Sequence, residues 1–243
     1  IVGQEAHGFP VVTDGEFRRH SFQESFSEAV SGFDVPKNIG VYYEQRQLNQ
    51  NPLERAEQNF DETGPAIVTR RPTVERLKLL RNITLEEFSF AQSVAKKPVK
   101  VTLIGPDRVA QRFKWEASMD VYKGLDDFVE HIVAIQRQMI SELVEAGCKC
   151  IQIDAPGYTA YVDRVSLDRM RSRGENPERN LQRSIDADNA VIDGFPNVTF
   201  GIHVCRGNAR TIDLKTVKLV PQWHREGHYD AIAERLFTSL KHH

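Results

Sequence analysis

Short buried strands alternate with amphipathic helices along much of this 243-residue chain, and that alternation limits its fold more than any other feature. Four apolar, β-branched runs each end at a cluster of Gly, Pro or charged residues. They predict strands at residues 10–13, 99–104, 148–153 and 198–202. Runs of this kind are typical of strands buried in a parallel sheet.

Helical patterns fill the intervals between these strands. The spacing of apolar side chains predicts helices over about 84–96, 125–145, 180–192 and 230–240. For the first helix we predict a capping box, because Thr84 stands three residues before Glu87. Strand and helix alternate between residues 98 and 203, which indicates βαβ units and an α/β fold.

The segment from Phe17 to Leu80 breaks this alternation, because it carries Gly and Pro among scattered aromatic residues. We interpret it as a long excursion after the first strand, with a hairpin around residues 39–44 and 66–70. Long excursions on α/β folds usually cover the mouth of an active site.

Composition excludes several classes of function. Lys and Arg number 32 and Asp and Glu number 34, so the net charge is −2 and favours neither nucleic acid nor an anionic membrane. No apolar run approaches the roughly 20 residues of a membrane-spanning helix. The cysteines are too few for a disulfide framework, so we expect a cytoplasmic location: Cys148, Cys150 and Cys205.

Three of the predicted strands end in residues that are suited to binding a ligand. Asp14 and Glu16 follow the first strand, Asp154 follows the third, and His203 and Cys205 follow the fourth. Because the carboxyl ends of parallel strands meet on one face, we expect these side chains to line one pocket.

His203 and Cys205 are the candidate metal ligands. Residues two apart in a strand face the same side, so imidazole and thiolate can reach one ion. Nitrogen with sulfur is a ligand combination that zinc prefers. A buried cysteine beside a hydrogen-bonded histidine would give the same pattern, and we interpret Cys148 and Cys150 as core residues of this structural kind.

The acidic and basic candidates also have structural alternatives. Asp14–Glu16 is either a capped turn or a pair of carboxylates that binds an ammonium group, and Asp154 is typical of a loop opening as well. We interpret Lys100 as structural. Three arginines either bind a carboxylate or phosphate or lie in solvent: Arg18, Arg19 and Arg206.

Three motifs, at residues 12–19, 151–156 and 203–208, resemble a known family. In order along the chain they are similar to motifs of the cobalamin-independent methionine synthases, in particular short proteins similar to the C-terminal catalytic domain. Residues 223–227 and 229–233 fit the same branch.

This resemblance implies a TIM (β/α)8 barrel with a catalytic Zn²⁺ at its C-terminal face. It implies that His203 and Cys205 bind the zinc, and that Glu16 and Asp154 hold the amino group of homocysteine. The implied reaction moves a methyl group from a 5-methyltetrahydrofolate-type donor to that thiol.

The sequence also departs from the family pattern. Ala155 stands where many relatives carry another acid, the run 209–222 is longer than expected, and no cysteine follows Cys205. Glu226 and Glu234 follow no predicted strand. We therefore expect residues 1–243 to form one partial barrel domain with about half of the strands, lacking one strand before Ile1 and about three after His243. Its open sheet edges favour self-association.

Two other functions remain open. One is a related zinc-dependent alkyl transfer to another thiol acceptor, such as coenzyme M. The other is a non-catalytic remnant of the barrel, which zinc content would distinguish from the enzyme.

Overall fold

The computed structural model describes residues 1–19, 22, 25–34, 72–111, 118–205, 209–213, 218–223 and 226–242. Its strands are β1 (Val30–Phe33), β2 (Thr73–Leu79), β3 (Lys100–Ile104), β4 (Cys150–Asp154), β5 (Thr199–His203), β6 (Ala209–Asp213) and β7 (Lys218–Trp223). Its α-helices are α1 (Val2–Ala6), α2 (Ser25–Ala29), α3 (Ile83–Val94), α4 (Pro106–Ala110), α5 (Leu125–Glu145), α6 (Arg164–Ser172), α7 (Pro177–Ile192) and α8 (Asp230–Ser239), and a 3₁₀ helix spans Pro156–Tyr161. Among these helices, none has both the length and the hydropathy needed to cross a membrane.

The central sheet consists of β3, β4 and β5, which are parallel and lie side by side in chain order. Their positions confirm three of the predicted strands to within two residues. The first predicted run contributes only a parallel bridge between Val12 and Val99. It extends no further because the side chain of Gln4 bonds both backbone polar groups of Thr13, at 2.7 and 2.9 Å.

One face of this sheet forms the hydrophobic core. Val101, Leu103, Ile151 and Ile153 are buried there in one cluster with side chains of α5. The bounds of α5 are those predicted from its apolar spacing. The mixed α/β fold is therefore confirmed, and the strands in the described ranges form three short open sheets and no closed barrel.

Two helix starts differ from the prediction because asparagine caps them. The Asn82 carboxamide oxygen accepts from the backbone N–H of Leu85 at 3.1 Å, so α3 begins at Ile83 without the predicted capping box. Glu87 is unable to complete that box because its carboxylate binds Arg19. Asn176 caps α7, which begins at Pro177, three residues before the predicted start.

Two antiparallel strand pairs were not predicted. β1 pairs with β2 inside the long excursion, and Gly32 allows the close approach because a Cβ there would lie 2.8 Å from the Glu75 carbonyl oxygen. The predicted hairpin at residues 39–44 and 66–70 lies outside the described residues. β6 pairs with β7 in the run that is longer than expected, so Glu226 does follow a strand, contrary to the prediction.

Candidate functional site

The side of the central sheet opposite the core is polar, because side chains alternate between its two faces. Lys100, Thr102, Gln152, Asp154 and His203 occupy this polar face. Thr102 is the register partner of Gln152, and Asp154 is the register partner of His203. The structure therefore brings two of the predicted site residues, Asp154 and His203, together at the carboxyl end of adjacent strands.

A chain of hydrogen-bonded polar side chains on the same face of the sheet fixes the Asp154 side chain. Its side chain accepts a hydrogen bond from the carboxamide N–H of Gln152 at 2.7 Å, and Gln152 accepts one from the Lys100 ammonium at 2.8 Å. Burial raises the pKa of the Asp154 carboxyl, and this effect outweighs the Gln152 hydrogen bond and the charges of His203, Arg19 and Lys100. Asp154 thus combines a fixed orientation with an environment in which a bound cation would favour its charged form.

Glu16 is joined to the sheet through Arg19. The Arg19 side chain is 3% exposed and donates to Glu16 Oε2 at 3.0 Å, while the Glu16 side chain is 30% exposed. Arg19 also binds the buried carboxylate of Glu87 on α3 and both oxygens of Thr102 on β3. Arg19 is therefore an interior ion-pair residue, whereas Arg18 stacks its guanidinium 3.7 Å from the centre of the Phe90 ring.

The pKa of Arg19 is raised. Burial alone would lower the pKa of its guanidinium, but the hydrogen bonds and charges of Glu87, Glu16 and Asp14 outweigh that effect. Arg19 therefore stays charged among the three acids Glu87, Glu16 and Asp14.

Asp14 shapes the turn that presents Glu16. Its Oδ1 atom accepts from the backbone N–H of Glu16 at 3.0 Å, and Gly15 has a φ of +78°. Glu16 itself has a φ of +58°, in the left-handed region that residues other than glycine rarely occupy. Of the two alternatives for Asp14, the structure shows the turn. A direct role of Asp14 in binding a ligand stays a prediction.

His203 and Cys205 lie at and just beyond the end of β5, with His203 exposed and Cys205 half-buried. No three His, Cys, Asp or Glu side chains in the described part of the chain are grouped so as to hold a metal ion. Imidazole nitrogen and thiolate sulfur fit the donor preference of zinc, and this pair would provide two of its ligands. The metal role of both residues stays a prediction.

The other two cysteines differ from Cys205. Burial raises the pKa of Cys148 to about 11 and also raises that of Cys150. Cys150 begins β4, at the opposite end from Asp154, and Cys148 lies two residues before that strand. None of the three cysteines forms a disulfide. Cys148 is buried in the hydrophobic core, as the core interpretation predicts. Cys150 is half-buried on the polar face, where it is the register partner of Lys100, so it is not a core residue.

A second acidic group, behind the ends of β3 and β4, was not predicted. Tyr158 donates to Asp188 Oδ2 at 2.6 Å, and Tyr161 donates to Asp107 Oδ1 at 3.0 Å. Burial, together with the charge of Asp107, raises the pKa of Asp188 to about 7, even though the Tyr158 hydrogen bond lowers it. The sequence does show Asp107 after a strand, but nothing in it connects Asp107 to Asp188 in the middle of a helix.

A separate cleft of about 510 Å³ opens between α6, α7 and α8. It contains none of the predicted site residues, and its lining includes Tyr161, Arg171, Glu175 and Ile232. The polar face of the sheet therefore remains the candidate site, because it brings together Asp154, His203 and, through Arg19, Glu16.

Comparison with known proteins gives a consistent result. Residues 1–212 match the family described as the catalytic domain of the cobalamin-independent synthases. The chain is 26% identical over 240 residues to the uncharacterised protein YxjG of Bacillus subtilis, covering 98% of this chain and 56% of that protein. It is 30% identical over 218 residues to the methionine synthase of Sulfolobus acidocaldarius, covering 89% and 51%.

A solved structure supports the same fold. The B12-independent methionine synthase from Shewanella sp. W3-18-1, in complex with selenomethionine, superimposes with a TM-score of 0.54 and 20% sequence identity. The match covers 84% of this chain and 48% of that one. The chain thus spans about half the length of the relatives that it matches. Because the family match covers most of its residues, this chain belongs to the cobalamin-independent methionine synthase family.

Proposed function

We propose that this chain transfers a methyl group from a 5-methyltetrahydrofolate-type donor to the thiol of an amino acid such as homocysteine, as a step of methionine synthesis. The register pairing of Asp154 with His203 carries this proposal, because it sets an acidic residue beside a candidate metal ligand at the end of parallel strands. The membership of the family supports methyl transfer as the reaction class.

Glu16 and Asp154 would bind the ammonium group of the amino acid. Both are carboxylates at the open end of the polar face, and Arg19 lies within electrostatic reach of both. A cation between two carboxylates gains from each of them, and the gain is larger where a side chain is withdrawn from water, as Asp154 is. This contact would fix the orientation of the thiol.

His203 and Cys205 would hold Zn²⁺ at the same end of the sheet. When bound, zinc would lower the pKa of the acceptor thiol, so that the acceptor sulfur would be a thiolate at neutral pH. The two protein side chains would fix the ion next to the ammonium site, so that sulfur and amino group of one small molecule are bound together. Selenomethionine, which the Shewanella enzyme holds in its solved complex, is the selenium analogue of methionine, the product of the proposed reaction.

The same charges argue against coenzyme M as the acceptor. Coenzyme M carries a sulfonate and no amino group, so two carboxylates beside its binding position would repel it. Stoichiometric zinc would argue against a non-catalytic remnant.

The reaction is tested with zinc-loaded full chain, homocysteine and 5-methyltetrahydrofolate bearing a labelled methyl group. Mass spectrometry should detect labelled methionine, and no labelled product when 2-mercaptoethanesulfonate replaces homocysteine. Methylation of the sulfonate alone would establish the other acceptor. Folded, zinc-containing protein that methylates neither thiol would overturn the proposal.

A further inference from the structure

Arg19 is a buried cation that lies between two carboxylates of different exposure. Its Nη1 atom donates to Glu16 Oε2 at 3.0 Å, and its Nε and Nη2 atoms donate to the two oxygens of Glu87 at 2.9 and 2.6 Å. The Glu87 side chain is 5% exposed. The Glu16 carboxylate reaches the open side of the site, whereas the Glu87 carboxylate faces the interior.

The guanidinium of Arg19 has no N–H group left for a ligand. An arginine side chain carries five N–H groups. In Arg19 these meet five acceptor positions, two on Glu87, one on Glu16 and two on Thr102, the Thr102 contacts being 3.2 and 2.8 Å. Arg19 therefore does not bind a substrate carboxylate or phosphate itself, which was one of the alternatives from the sequence.

Arg19 connects Glu16 to the strands that carry Asp154. Thr102, which accepts from Arg19, is the register partner of Gln152 in the next strand, and Gln152 donates to Asp154. Glu16 is thus anchored through Arg19 to β3, and Asp154 is anchored by Gln152 on β4, at neighbouring register positions of the two strands.

Glu16 needs such a restraint because of its backbone. Its φ of +58° lies in a region that is unfavourable for residues other than glycine. The Arg19 contact and the Asp14 contact to the Glu16 N–H hold the residue in this conformation.

We propose that Arg19 is a positioning residue that fixes the Glu16 carboxylate relative to Asp154, and that Glu87 is the counter-ion of Arg19, which leaves the negative charge of Glu16 available to the ammonium group of the substrate. This inference rests on the proposed function. Glu87 binds Arg19 through both of its carboxylate oxygens, whereas Glu16 binds Arg19 through only one. Glu87 is therefore the main counter-ion of the guanidinium.

The test compares two ligands that differ only in the amino group. Calorimetric titration of the zinc-loaded chain gives the dissociation constants of homocysteine and of 4-mercaptobutyrate, and their ratio measures recognition of the ammonium group. Arg19→Lys keeps the charge but lacks the planar fork that reaches Glu87, Glu16 and Thr102 together. We expect the ratio to fall about tenfold, because a misplaced binding group loses most of its benefit.

Glu87→Gln provides a second variant that alters charge without removing Arg19. The guanidinium then has Glu16 as its nearest remaining counter-ion and competes with the substrate's ammonium group for it. The ratio should fall here as well, while the affinity for 4-mercaptobutyrate changes less than about twofold, since a merely structural defect would weaken both ligands. Arg81→Lys is the matched control, because Arg81, which lies just before α3, forms an exposed ion pair with Glu86, the neighbour of Glu87 in that helix.

The outcomes separate this inference from the proposed function. If Glu16→Gln abolishes the preference for homocysteine and the Arg19 and Glu87 variants reduce it, the positioning role is supported. If Glu16→Gln abolishes it and both other variants keep the wild-type ratio, the positioning role is overturned and the proposed function stands. If the wild-type chain has no preference, the ammonium site and the role of Arg19 are both overturned. Should Arg19→Lys fail to fold, Glu87→Gln decides.

Discussion

Asp154 and His203 are register partners across the parallel strands β4 and β5. The backbone continues the pairing, since the N–H of Ala155 donates to the carbonyl oxygen of His203 at 2.9 Å. Two side chains from distant parts of the sequence are thereby fixed at one end of the sheet. An acid that binds an amino group and a histidine that binds a metal would have to be placed in this way to hold the two ends of a small amino thiol.

Asp154→Asn should weaken homocysteine binding by roughly tenfold to a hundredfold, because a charged hydrogen bond contributes about 1.5–3 kcal/mol. The asparagine oxygen still accepts from Gln152, so the fold should be retained. Calorimetry on the zinc-loaded chain measures the affinity. Asp186→Asn, at an exposed position of α7, is the control and should bind homocysteine as the wild type does. Equal affinities in the two variants would exclude Asp154 from the ammonium site.

The pairing of Asp154 with His203 follows from features that a sequence displays. Apolar, β-branched runs predict β3, β4 and β5, and polar residues at their ends predict which side chains meet. The spacing of apolar residues predicts α5 equally well, because a long helix repeats its pattern over several turns.

Other contacts had no local signal. Val30–Phe33 pairs with Thr73–Leu79 across a long stretch of chain. The first run has only four residues, and the second carries three charged residues among its seven, so neither has the apolar pattern of a buried strand. Glu87 fitted a capping box by spacing alone, but a long-range contact with Arg19 replaced that local one. Asp188 lies within a helix, where an acid is ordinarily exposed, and only the packed structure shows that it faces Tyr158 and Asp107.

Asp188 should make the stability of the protein depend on pH. Its pKa is about 7 in the folded chain, against an ordinary value of 3.8, so the folded state keeps a proton that the unfolded chain releases. This stabilisation is complete below about pH 4 and is lost as the pH rises towards 7. The loss is on the order of a few kcal/mol, since each unit of pKa difference corresponds to about 1.4 kcal/mol.

Urea unfolding between pH 4 and 8 measures this effect. The unfolding free energy of the wild type should fall with rising pH relative to that of Asp188→Asn, which has no proton to lose. Asp193→Asn changes an exposed acid of the same region and should preserve the wild-type pH dependence. Parallel pH profiles for the wild type and Asp188→Asn would show that Asp188 has an ordinary pKa.

Gly157→Ala should destabilise the protein by about 1–3 kcal/mol, because an added methyl group would collide with Asp107 Oδ2 and lie 2.8 Å from Gln111 Nε2. Both atoms belong to the hydrogen bonds behind the site. Gly124→Ala is the control, since a Cβ there meets no atom within 4 Å. Thermal unfolding of the two variants compares them, and a Gly157 variant as stable as the Gly124 variant would contradict this packing.

X-ray absorption at the zinc edge of the zinc-loaded chain, with and without homocysteine, tests the central claim most directly. The account predicts a ligand shell with nitrogen at about 2.0–2.1 Å and sulfur at about 2.3 Å, which gains a sulfur when homocysteine binds. Cys205→Ser should remove from the ligand shell the sulfur that the protein contributes, and His203→Ala should lower the zinc content. Cys150→Ser should leave both the ligand shell and the zinc content unchanged. A shell of light atoms that neither homocysteine nor Cys205→Ser alters would contradict the account.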